Sequence, residues 1–196
     1  MSCPTETRTR GRPAAATREE ALEAAMAQYL RGERIDVQAI AAGLGLGRAT
    51  VYRWFGSREG LIGEVLVAAA EPLLAEARAG ARGRGGAALL DTFDRFNRSL
   101  AAAPALRRFV ESEREAAMRV ITSGAGIVQP RIVATISEVI DEEVRAGRYE
   151  PPVETATLAY AIVKLAEAFL FNDTGGGLRP DVERLREVEA ALLGVR

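Results

Sequence analysis

Apolar positions recur every three or four residues along nearly the whole chain, and nothing reads as a strand. Residues 1–16 (MSCPTETRTRGRPAAA) lack this period and read as a mobile tail. Thr17 opens a first helix, because Glu20 three positions on completes a capping box. Leu22, Ala25, Met26 and Tyr29 form its apolar face, and Gly32 ends it. Asp36 caps a second helix, with Val37, Ile40, Ala41 and Leu44 as its buried stripe. Glycines at 43, 45 and 47 stop it, and Gly45 suits the left-handed position just past a helix end. A third helix follows at once over 48–55. Ser57 caps a fourth, with Glu59 in its first turn, where negative charge opposes the helix dipole. Leu61, Ile62, Val65, Leu66 and Ala69 mark its inner side, and Pro72 is expected to kink or end it.

The stretch from Arg78 to Gly86 (RAGARGRGG) is a loop by composition. Leu89, Phe93, Phe96 and Leu100 give the next helix, closed by Pro104. Leu106, Phe109, Val110, Met118 and Ile121 indicate one or two more. Ile132, Ile136, Val139, Ile140 and Val144 give a long helix ending at Gly147. Pro151 and Pro152 introduce the most apolar helix, near 153–172. After glycines at 175–177 comes a last helix with Val182, Leu185, Val188 and Leu192. The pattern predicts an all-α protein of about nine helices in three parts. These are the tail at 1–16, a three-helix unit at 17–62 and a larger helical body at 63–196.

Composition removes whole classes of chemistry. There is no histidine, which excludes Ser-His-Asp and Cys-His catalysis and every histidine-based metal site. Cys3 is the only cysteine, so no internal disulfide can form. No Gly-rich phosphate loop precedes a helix. An enzyme is therefore not expected, and neither is a cofactor or a metal. No apolar run is long enough to span a bilayer, and the N-terminus has no apolar leader segment, so a cytoplasmic protein without membrane contact is expected. Lys164 is the only lysine, a bias that a GC-rich coding sequence accounts for. Residues 1–60 nevertheless hold nine arginines against seven acidic residues, while the whole chain carries −1. Arginine makes the bidentate contacts to guanine and phosphate that lysine cannot.

One stretch concentrates these donors: RATVYRWFGSREGLI at 48–62. Two short helices joined by a glycine-bearing turn, with another packed before them, fit a helix-turn-helix. Val51 and Phe55 lie four apart and face inward with Leu46, while Arg48 and Tyr52 share another face and Ala49 lies beside Arg53. A solvated amphipathic helix would show the same period. The order of residues is more specific. Ile40-Ala41, Gly45-Leu46, Thr50-Val51-Tyr52, Phe55 and Ser57-Arg58-Glu59-Gly60-Leu61 closely resemble the signature of TetR/AcrR-type transcriptional regulators. Length near 200 and an N-terminal DNA-binding third match as well. Two departures are mild. Gly47 stands where the family usually has a Ser/Thr cap, which costs a few tenths of a kcal/mol, roughly. Gly43 lowers helix propensity by up to about 1 kcal/mol relative to Ala.

The resemblance implies a contact set. Gln38, Arg48, Ala49 and Arg53 would face bases, while Thr50, Tyr52, Trp54, Arg58 and the amide of Val37 would hold the DNA backbone. Trp54 serves equally well as a core residue. In the tail, Arg8, Arg10 and Arg12 are either solvated or lie in a narrow minor groove. The family further implies a homodimer on a palindromic operator, built on the last two helices, with a small-molecule effector in the body. Phe93, Phe96, Phe109, Met118 and Ile121 either fill the core or line the effector cavity, with Tyr160 and Glu167 orienting a polar end. The stretch from TSGAGIVQPR to GRYEPPVETATLAYAIVKLAEAFLFND resembles the subgroup typified by QsdR, which implies a lactone or acyl-type effector. The expected function is a repressor released by a mostly apolar ligand. The alternatives are a constitutive DNA binder with a well-packed body, or a carrier or enzyme with a vestigial helix-turn-helix.

Overall fold

A computed structural model describes residues 16–171 and 180–195. Among these residues the chain is entirely α-helical. The capping box forms as the sequence predicts: the Glu20 amide donates to Thr17 Oγ1 at 3.2 Å, and the Thr17 amide to Glu20 Oε2 at 2.7 Å. It starts α1 (Arg18–Arg31), which ends at Gly32 with φ 74°. Then come α2 (Val37–Gly43), α3 (Arg48–Phe55) and α4 (Arg58–Gly80). The body adds α5 (Gly86–Ala102), α6 (Pro104–Ser112), α7 (Arg114–Thr122), α8 (Val128–Arg145), α9 (Thr155–Leu170) and α10 (Val182–Leu192). That makes ten helices among the described residues, one more than the periodicity predicts.

Two differences from expectation have clear physical causes. The apolar run from Leu106 to Ile121 divides at Glu113, whose backbone (φ −131°, ψ 46°) leaves the helical region with no Gly or Pro to announce it. Pro72, in contrast, does not end α4, which runs on to Gly80. Pro72 is exposed, so the carbonyl it leaves unpaired one turn back can turn toward water.

One buried cluster joins the N-terminal helices to the body. It runs from Ala21, Ala25 and Tyr29 through Val51 and Phe55 to Leu61, Ile62 and Val65, then to Phe109, Val110 and Ala117. A second cluster lies between α5, α8 and α9, and a third between α4 and Phe96 of α5. The expected boundary between residues 62 and 63 falls inside α4, which is unbroken there. Among the described residues no helix is long and apolar enough to cross a membrane.

Candidate functional site

The N-terminal unit is assembled by local rules. Asp36 accepts the Gln38 and Ala39 amides at 2.8 and 3.2 Å and so fixes the start of α2. Gly45 takes φ 65°, and the Leu46 amide then reaches back to the Ala41 carbonyl at 2.8 Å, which turns the chain into α3. Gly47 caps α3 with no side-chain bond. After α3, Gly56 at φ 75° and the Ser57 cap, which accepts the Gly60 amide at 2.9 Å, start α4 within two residues. A Cβ at Gly60 would overlap the Phe55 backbone carbonyl oxygen, so a larger residue there would have to shift the α3–α4 junction.

This geometry sorts the expected DNA contacts. Val51 and Phe55 are buried. Gln38, Arg48, Ala49 and Arg53 are exposed, so α3 presents a donor-rich outer face. Arg48 lies over the Tyr52 ring, 5.9 Å from its centre. Thr50, Tyr52 and Trp54 are half-buried, and both Tyr52 and Trp54 pack against the core cluster. Val37 is buried, and its amide is not one of the two that Asp36 accepts. Arg10 and Arg12, like Arg8, lie outside the described residues.

Arg58 is placed differently from expectation. Its Nε donates to the Ile35 carbonyl at 2.9 Å, and its other arm pairs with Glu113 at 2.8 Å. Only 20% of the side chain is exposed. A guanidinium committed to two internal acceptors is not a free phosphate clamp. It ties the helix-turn-helix to the junction of α6 and α7, where Glu113 also faces Arg34 at 3.5 Å. Arg108 of α6 adds a third tie, donating to the Leu30 carbonyl at 3.1 Å.

In the body, α4, α5, α6, α8 and α9, together with Tyr29 of α1, Ile121 of α7 and Glu189 of α10, line a partly open cavity of about 260 Å³. Leu66, Leu73, Phe93, Phe96, Ile132 and Leu170 make its walls strongly apolar. Of the residues the sequence offered for an effector cavity, Phe93, Phe96, Ile121 and Glu167 are in its walls. Phe109, Met118 and Tyr160 do not. Phe109 packs edge-on against Tyr29, centroids 6.4 Å apart, and Met118, partly buried, packs against the same core cluster. Tyr160 is 49% exposed. Its spacing puts it in line with Glu167, but the cavity meets only the part of α9 from Ile162 to Leu170. Lys164 bridges the two, 6.0 Å from the Tyr160 ring centre and 2.6 Å from Glu167 Oε2.

Sequence reasoning missed three polar residues of the wall: Asn97, Gln129 and Glu189. Asn97 Nδ2 donates to both oxygens of Glu189, at 3.1 and 3.3 Å. Gln129 Nε2 donates to the Thr122 carbonyl at 3.0 Å and to Glu167 Oε1 at 2.8 Å. Burial raises the Glu189 carboxyl to about 7; Asn97 opposes this and nearby Asp94 adds to it. Burial likewise holds the Tyr29 hydroxyl at about 12, against the pull of Arg108, so Tyr29 stays a neutral phenol. A signal for Glu189 existed: it lies four residues from both Leu185 and Leu193, on the buried stripe of α10. Among the described residues no group of three or more metal-ligating side chains converges.

Comparison with known proteins agrees with this architecture. Residues 84–194 match the family model described as "Tetracyclin repressor-like, C-terminal domain". Among curated proteins, none matches the chain in sequence. Among solved structures, the chain is similar to the transcriptional repressor QsdR of R. erythropolis, from the TetR family. Identity is 30%, with 91% of this chain and 94% of that one covered and a TM-score of 0.84. It is also similar to the TetR family repressor AlkX from Dietzia sp. strain DQ12-45-1b, implicated in biodegradation of n-alkanes. There identity is 25%, coverage 91% and 96%, and TM-score 0.61. Both relatives are regulators rather than enzymes. The chain belongs to the TetR family of transcriptional regulators.

Proposed function

We propose that the protein is a dimeric repressor that reads a palindromic operator through α2 and α3 and is released by a small, mostly apolar effector. The observation that carries the reading is the outer face of α3, where Arg48 and Arg53 stand exposed on a helix that follows a glycine turn. Arginine there can read the O6 and N7 acceptors of guanine in the major groove. The test is a selection of random duplexes on the purified protein. Arg48→Ala and Arg53→Ala should each relax one base preference and cost about 1–3 kcal/mol of binding where a guanine is read bidentately. A chain that enriches no sequence would sink the reading.

The cavity supports an effector over a constitutive binder, whose body would be well packed. Its walls include Leu66 of α4, Leu106 of α6 and Ile121 of α7, close to the Glu113 junction that holds Arg34 and Arg58. A ligand that shifts α6 and α7 therefore shifts the α2–α3 unit with them. It releases DNA only by binding the shifted state more tightly. The lactone implied by the subgroup resemblance suits the apolar walls. Its ring oxygen and carbonyl oxygen are acceptors only, however, and would meet an acceptor at Glu167.

For the dimer, Tyr160 on α9 and Val188 on α10 are exposed large apolar side chains, and Val153 just before α9 is a third. Exposed apolar side chains on these two helices support an association face there. Tyr160→Asp combined with Val188→Asp should give a monomer by light scattering, with operator affinity reduced to that of a single half-site. An unchanged dimer would place the interface elsewhere.

A further inference from the structure

Two carboxylates stand in the cavity wall, and they are in different electrostatic situations. Glu167 takes Lys164 Nζ on one oxygen at 2.6 Å and Gln129 Nε2 on the other at 2.8 Å, so its charge is met within the protein. Glu189 is fully buried, at 0% exposure, and its hydrogen bonds come from one neutral amide, Asn97, which is itself buried. The cations near it are engaged elsewhere. Arg98 pairs with Asp94 at 3.1 Å and with Glu183 at 2.9 Å, and Arg186 faces Asp94 at 3.7 Å. Asp94 adds a like charge on α5, Tyr29 on α1 is neutral, and Lys164 on α9 is spent on Glu167. An ionised carboxylate without a counter-charge in an apolar surround is costly. The group that would complement it is a cationic donor.

We propose that the cavity binds an amphiphilic cation, a short apolar body carrying a protonated amine whose N–H groups donate to Glu189. This rests on the reading of the cavity as the effector site. The apolar body would lie against Phe93, Phe96, Leu66 and Ile132. At about 260 Å³ the space is smaller than the ~300–1,000 Å³ of sites for drug-sized ligands, so the body is short. Charge-assisted N–H bonds to a carboxylate are about twice as strong as neutral ones, which sets the preference over an alcohol of the same length. In the protein alone, near neutrality, Glu189 holds a proton part of the time. An ammonium ligand favours the ionised form, so binding releases that proton and affinity rises as pH passes upward through 7.

The test uses full-length protein and three probes of one length: n-octylamine, n-octanol and octanoate, each titrated calorimetrically at pH 7.5. Octylamine should bind about 10-fold or more tighter than octanol, and octanoate weakest, since octanoate sets a second carboxylate against Glu189. Glu189→Gln should remove the preference for octylamine while leaving octanol affinity unchanged. Glu189→Asp, which keeps the charge, should preserve the preference, and it guards against a folding defect in the glutamine variant. Octylamine affinity for the wild type should rise between pH 6 and 8, and octanol affinity should not. Equal binding of octylamine and octanol, or an equal effect of Glu189→Gln on both, overturns the cationic ligand and leaves the cavity as an effector site. If none of the three probes binds, the effector-site reading falls with it.

Discussion

Replacing Gly60 with alanine should destroy operator binding while the body stays folded. The added Cβ would overlap the Phe55 carbonyl oxygen, a backbone atom that cannot swing aside as a side chain could. Relief requires α3 and α4 to part, and α3 is packed through Val51 and Phe55 into the same cluster as Leu61 and Ile62. Overpacking of this kind costs about 1–3 kcal/mol and sometimes more. On the proposed reading of the operator, a shift of α3 by even part of an ångström would also move Arg48 and Arg53 off the base edges. Gly43→Ala is the matched control. No atom lies within 4 Å of the point a Cβ would occupy there, and its φ is not positive, so it should be neutral or stabilise by up to about 1 kcal/mol. Thermal melts and operator titrations of the two variants decide the matter. Gly60→Ala with wild-type affinity would mean the α3–α4 junction yields more easily than its packing indicates.

Glu189→Gln should raise the melting temperature at pH 8 and leave it nearly unchanged at pH 5. The folded protein holds the Glu189 proton more tightly than the unfolded chain does, with a value of about 7 against an ordinary 4.5. Between those values the folded state binds more protons than the unfolded state, so stability falls as pH rises through this window. The loss approaches about 3 kcal/mol above pH 7, which corresponds to roughly 6–12 °C for a chain of this size. Glutamine can still accept from Asn97 but never ionises, so it escapes the loss. Asp91, Glu143 and Glu183 carry the opposite shift, because each accepts hydrogen bonds from an arginine. Their contribution is lost only as pH falls below the ordinary carboxylate range, outside this window. Parallel melting curves for the two proteins from pH 5 to 8 would show that Glu189 does not titrate there.

Much of the architecture was legible because local rules act within a few residues. The Thr17–Glu20 box, the Asp36 and Ser57 caps and the Gly45 turn are all short-range, and each forms where the sequence places it. The family is equally legible, since the order of residues from Ile40 to Leu61 is set by that same local geometry. What escaped depends on partners distant in sequence. Arg58 reads as a phosphate contact until Glu113, 55 residues away, takes its guanidinium. Glu189 reads as one more charge on a polar helix until α5 brings Asn97 against it, 92 residues away. Tyr160 and Glu167 share a helical face, and only the tertiary cover over the second half of α9 separates them. The break at Glu113 escaped for another reason: it is made by backbone angles that any residue but proline can adopt.

The Glu113 carboxylate also bears on how such regulators can be recombined. It is only 15% exposed and holds arginines at 34 and 58, both from the N-terminal helical unit. Grafting residues 17–62 from another regulator onto this body would remove both of these ion pairs of Glu113 unless the donor carries arginine at one or both positions. The Arg108 bond to the Leu30 carbonyl would survive such an exchange, because it reads backbone rather than side chain. Arg48, Ala49 and Arg53 stand exposed on the outside of α3, so substitutions there leave this seam undisturbed. Exchange of the whole N-terminal unit, in the laboratory or in a lineage, has to bring arginine side chains that match Glu113 of the body.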